Sequence, residues 1–107
     1  MIIADPRLQA VFQTQKMGKS TLARGEHLYA GLNAFEPGQE HAAHTHADQD
    51  KLYCVLEGEA EVTLDSRADR VGTGAVVFAA AGVPHGIRNP GPGRLLVLVV
   101  FGPPPKQ

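Results

Sequence analysis

A single cysteine, Cys54, rules out an internal disulfide framework. A reducing cytoplasm is then the simplest compartment to expect. No charge of either sign dominates: 10 basic and 11 acidic residues leave a net charge of -1. That balance gives no electrostatic footprint for nucleic acid or for an anionic membrane. Long hydrophobic runs are missing too. The longest, Leu95 to Phe101, is far short of the roughly 20 residues that span a bilayer. The opening MIIADPRLQAVF has neither the basic start nor the apolar stretch of a signal peptide. The expectation is a soluble protein with no nucleic-acid or membrane partner.

Turn-forming residues are abundant. Twelve glycines and eight prolines, scattered over 107 residues, disfavour a helical bundle, because both residue types weaken helix interiors. The length fits one domain, residues 1–107, with no internal repeat. Short strand signals alternate with turns. His27 to Phe35 precedes Glu36-Pro37-Gly38, and Lys51 to Leu56 precedes Glu57-Gly58. Glu59 to Leu64 alternates, with Ala60, Val62 and Leu64 on one face. Asp65 to Asp69 is polar and reads as a hairpin turn. Ala75 to Ala79 and Leu95 to Phe101 complete the set, which suggests an all-β barrel or sandwich over residues 26–101. Leu8 to Gln15 fits a short helix or an edge strand, with the strand preferred. The proline-rich tail, residues 102–107, is expected to stay out of the sheets.

Two of these strands, Leu52 to Leu56 and Leu95 to Phe101, are apolar on both faces. One face of a barrel strand is inside, so the other needs a cover: more of the same chain or a second subunit. With little chain to spare, a homodimer is expected.

Three of the five histidines, His41, His44 and His46, lie within six residues. On an extended strand, His44 and His46 share one face with Cα atoms about 7 Å apart, close enough for both imidazoles to meet one ion. His85, in the turn Gly82-Val83-Pro84-His85-Gly86, is the candidate third ligand from another strand. Taken alone, an H-x-H pair fits two ordinary loop histidines equally well. His41 and His27 have no spacing that recruits them and are expected at the surface or at an interface.

Two longer motifs run through these residues. The first is Gly38-QEHAA-His44-Thr45-His46-ADQD-Lys51-LYCVLE-Gly58, and the second is Gly74-AVVFA-Ala80-Ala81-Gly82-VP-His85-GIR-Asn89. Fifteen residues separate them. In order and spacing they resemble the two motifs of the cupin superfamily, over about half of the chain. The resemblance implies an antiparallel jelly-roll β-barrel in which His44, His46 and His85 match the family's three metal-binding histidines. It implies one divalent ion as cofactor, with Fe, Ni, Zn, Mn and Cu all suited to nitrogen ligands.

Two positions depart from the family pattern. Ala80 stands where the second motif has proline. Lys51 stands where the family has a metal-binding glutamate, and a protonated lysine has no lone pair to offer. Gln49 and Asp50 are possible additional ligands, Gln49 on the correct parity and Asp50 one residue off it. Lys51 is expected to reach the barrel mouth and pair with Asp48 or Asp50, or else to hold an anionic substrate group. By parity Tyr53 shares its face, and Asn89 lies near the mouth, so Lys51, Tyr53 and Asn89 are substrate-pocket candidates. Cys54 has the opposite parity and faces away from the histidines. The superfamily includes dioxygenases, isomerases, binding regulators and storage proteins. Three readings follow: a metal-dependent, oxygenase-like enzyme acting on a small molecule, which is preferred; a ligand-binding or sensing module; and a barrel that holds metal for structure alone.

Overall fold

Strands bounded by glycine and proline turns are the main regular structure of this chain, whose computed structural model describes residues 1–104. In chain order they are β1 (Gly18–Arg24), β2 (Tyr29–Phe35), β3 (Glu40–His44), β4 (Asp50–Glu57), β5 (Glu59–Leu64), β6 (Arg67–Gly72), β7 (Val76–Ala79), β8 (His85–Arg88) and β9 (Leu95–Gly102). They form two antiparallel sheets, β1-β2-β9-β4-β7 and β3-β8-β5-β6, which face each other as the expected jelly-roll barrel. Among the described residues, no helix is long and apolar enough to cross a membrane.

Alternation along the strands fills the barrel. In β4, Lys51, Tyr53 and Val55 are buried, while Leu52, Cys54 and Leu56 turn outward and are half-buried. Tyr53 and Val55 join Phe35, Val62, Ile87, Leu95, Val97 and Val99 in the main core between the sheets. A second cluster lies on the outer side of the five-stranded sheet. There Leu32, Ala34 and Leu96 are covered by Ala10 and Phe12 of the N-terminal segment. Part of the expected cover therefore comes from the same chain. Arg94 helps pin that segment: its guanidinium sits 4.3 Å from the Phe12 ring centroid and pairs with Glu36 at 2.9 Å.

Several expectations are corrected. The N-terminal region contains a short 3-10 turn, Pro6–Gln9, capped by the Asp5 carboxylate, instead of an edge strand over Leu8 to Gln15. Strand β1 was not legible, because a bulge between Thr21 and Ala23 breaks its alternation. The polar hairpin turn shrinks to Asp65 and Ser66, since Leu64 already pairs with Arg67, and Asp65 takes a left-handed φ of 55°. The residues beyond form β6, whose charged exposed faces suit a sheet edge. Gly102 of the tail does pair, opposite Asp50 in β4. The last part of the tail, residues 105–107, lies outside the described residues.

Candidate metal centre

The three histidines converge. Ring nitrogens of His44, His46 and His85 all lie within 4.8 Å of one another. His44 and His85 face each other directly across β3 and β8, with ring centroids 4.4 Å apart. His46 reaches the same point from the loop after β3, so the H-x-H pair does not share one regular strand as expected. Backbone bonding holds that loop in place: the Gly82 N–H donates to the carbonyl of His46 at 2.8 Å. This ties His46 to the turn that carries His85.

The protonation pattern suits a ligand set. The Nδ1–H groups of His44 and His85 donate to the carbonyls of Ala42 and Val83, each at 2.9 Å. A carbonyl can only accept, so the proton is on Nδ1 and the Nε2 lone pair is left free. Both Nε2 atoms are buried and have no hydrogen-bond partner. Buried polar nitrogens without partners are rare and costly, and a metal ion in their midst would satisfy them. Burial lowers the pKa of both residues, with only a partial offset from those carbonyls, which favours the neutral form that ligates.

His41 is corrected from a surface residue to an inward-facing one. It pairs with Ile87 while His44 pairs with His85, so three steps along β3 match two along β8. This bulge brings residues of opposite parity onto the same face. The His41 ring lies tilted against that of His44, centroids 4.4 Å apart, but His41 is outside the cluster of three. Its pKa is lowered to about 3, first by burial and then by His44 and nearby lysines. Sequence parity alone could not reveal the bulge. Gly86 is its visible trace, because a Cβ there would lie 2.8 Å from the Ala43 nitrogen. His27 is exposed, as expected.

Gln49 and Asp50 do not join the cluster. The Gln49 amide donates to the carbonyl of Pro103 at 2.8 Å, and the Asp50 carboxylate accepts the Ala81 N–H at 2.8 Å. Both side chains instead anchor the end of the His46 loop that leads into β4. Lys51 faces inward as its parity requires, but among the described residues it pairs with neither Asp48 nor Asp50. Its ammonium lies 5.3 Å from the Tyr53 ring centroid and 5.8 Å from that of Phe101. Burial, and secondarily Lys19, lowers its pKa to about 8. Tyr53 is fully buried, its hydroxyl has no partner, and burial raises its pKa, so it remains a neutral donor. Asn89 lines a different cavity, with Gly58, Gly91 and Arg94 and none of the three histidines. Its amide donates to the carbonyls of Phe35 and Gly93 and accepts the Gly91 N–H, bracing the turn before β9.

Comparison with known proteins agrees with this fold. The family model for the cupin domain matches residues 31–101. An uncharacterized protein of Streptomyces coelicolor is 37% identical over 81 residues, covering 76% of this chain and 75% of that one. A Thermus thermophilus protein of known crystal structure superposes with a TM-score of 0.93 at 37% identity, covering 98% of this chain and all of that one (100%). An RmlC-like cupin protein from Desulfovibrio desulfuricans gives a TM-score of 0.85 at 30% identity, with coverage of 98% and 100%.

Proposed function

This chain belongs to the cupin family, and from that premise we propose that it is a small-molecule metalloenzyme, oxygenase-like, with one divalent ion held by His44, His46 and His85. The observation that carries the reading is the pair of buried, unpartnered Nε2 atoms on His44 and His85, each opposite a Nδ1–H anchored to a carbonyl. Three neutral imidazoles leave an ion its full charge and open coordination positions, where it supplies Lewis-acid or redox chemistry to a bound small molecule. The protein's part is to hold the three rings in place through the Ala42 and Val83 carbonyls and the His46–Gly82 link. Tyr53 adds a neutral O–H donor, its ring centroid 6.2 Å from that of His85.

The proposal extends to a cytoplasmic homodimer. Cys54 is a free thiol, in keeping with a reducing compartment. Val76, Phe78 and Leu28 remain 61%, 57% and 55% exposed on the outer side of the five-stranded sheet. Beside them, Leu28, Leu52, Phe78 and Val100 line a groove of about 310 Å³. An exposed apolar face of this kind suits a two-fold partner of the same chain.

Elemental analysis of protein purified without added metal tests the central reading, followed by oxygen-uptake screening against small organic molecules. We expect about one metal ion per chain, and its loss in His85→Ala. Full metal occupancy with no oxygen uptake for any compound would move the protein to the ligand-binding reading. Absence of metal from protein that also fails to take up zinc or nickel would sink both.

A further inference from the structure

The inner face of the five-stranded sheet carries two cations that the histidine cluster does not use. Lys19 lies across from Asn33, and Lys51 across from Phe101. Lys51 is only 7% exposed, and no ion pair to it forms among the described residues. A buried charge without a counter-charge is costly, and proteins keep one where a ligand completes it.

A cavity of about 130 Å³ opens beside this ammonium, bounded by Lys19, Tyr29, Asn33, His41, Lys51 and Phe101 among others, with no Asp or Glu in its wall. The wall is prebuilt. Tyr29 is fixed by a 2.7 Å bond to Thr21 and stacks on Phe101 with ring centroids 4.6 Å apart. Gly31 leaves room for that tyrosine, since a Cβ there would lie 2.9 Å from the Tyr29 ring and hydroxyl. His41 joins the cavity to the cluster, because its ring lies against that of His44 and its Nδ1 is buried without a partner. The volume is below the range of about 300–1,000 Å³ usual for drug-sized ligands, which favours a small molecule.

We propose that this cavity binds a small organic acid, its carboxylate seated on the Lys51 ammonium with Lys19 at the entrance and its other end directed toward the three histidines. The carboxylate seat stands on the cavity alone; the direction toward the histidines rests on the metal-centre reading above. Lysine is apt here as a point charge for an anionic group. The aromatic faces of Tyr53 and Phe101 hold the ammonium without neutralising it.

Calorimetric titration with acetate, lactate and malonate tests this, at constant ionic strength, on protein as purified and after chelator treatment. Malonamide serves as the uncharged counterpart, and zinc retention is measured in parallel by equilibrium dialysis. At least one acid should bind saturably to both forms, with malonamide, Lys51→Met and Lys51→Gln each weakening binding by about tenfold or more. Lys51→Arg should restore most of it. Equal binding by Lys51→Met, equal binding of malonamide, or no acid bound at about 10 mM overturns the proposal. Because malonamide is compared on the wild-type chain, the test holds even if a variant misfolds. Zinc retained without acid binding overturns this inference and leaves the metal centre standing. Acid bound at Lys51 by protein that carries no metal as purified and takes up neither zinc nor nickel upholds the seat and overturns the metal centre.

Discussion

At the scale of single residues, Lys51 contributes a buried charge that costs the folded state stability. Its ammonium is held by ring faces and by no carboxylate, and its pKa falls from 10.5 to about 8. Below pH 8 the folded and unfolded chains both carry the proton, and the whole burial cost falls on the folded state. Between about pH 8 and 10.5 the folded chain releases its proton while the unfolded chain keeps it, so stability from this group rises with pH. Lys51→Met keeps the stem and removes the charge. We expect it to raise the melting temperature of ligand-free protein at pH 7 by about 4 °C, on the order of 1 kcal/mol. The advantage should shrink at pH 10. Thermal melts at the two pH values check this, and a variant less stable than wild type at pH 7 would contradict it. His41 works in the acid range: with its pKa lowered to about 3, the stability it contributes is lost as pH falls from 6.5 toward that value.

At the scale of elements, the bulge between His41 and His44 makes β3 serve the site. It sets His44 opposite His85 and still turns His41 inward. Gly86 permits it, because the bulged Ala43 backbone occupies the space a side chain would take. Gly86→Ala should therefore displace Ala43 and, through it, the adjoining His44. We expect a lower melting temperature and about tenfold weaker zinc retention against a chelator, with the far-ultraviolet circular dichroism still that of a β-protein. Unchanged stability and retention would show that β3 yields without moving the ligand. The His46 loop is an element of another kind. It has no regular structure of its own and takes its position from Gly82, Ala81 and Pro103.

At the scale of the molecule, the N-terminal segment covers one part of the outer sheet face, and Val76, Phe78 and Leu28 remain open on another. Strand β7, which bears Val76 and Phe78, is also a sheet edge with unpaired backbone groups. The proposed homodimer should bury at least about 1,000 Å² in total across this face. Sedimentation at micromolar concentration should show a species of twice 11.4 kDa, shifted toward monomer by Phe78→Glu. A wild-type chain that sediments only as a monomer would rule the dimer out.

The sequence by itself determined the barrel and the identity of its three clustered histidines. Turn residues cut the chain into strands, strict alternation in β5 put Ala60 and Val62 on one face, parity put Tyr53 on the face of Lys51, and two spaced motifs marked His44, His46 and His85. These signals are local or fixed in spacing, so they can be read along the chain. Only the tertiary structure decided the rest. Whether His41 faces inward depends on a bulge, and bulges break the parity from which direction is inferred. Whether Gln49, Asp50 and Asn89 face a ligand or bind backbone depends on Pro103, Ala81, Phe35 and Gly93, which come near only when the strands pair. Lys51 could be assigned to a face from the sequence. That it meets the Phe101 ring and a second lysine and forms no ion pair among the described residues was decided by packing, because Phe101 and Lys19 come from β9 and β1, remote in the chain and adjacent only in the folded barrel.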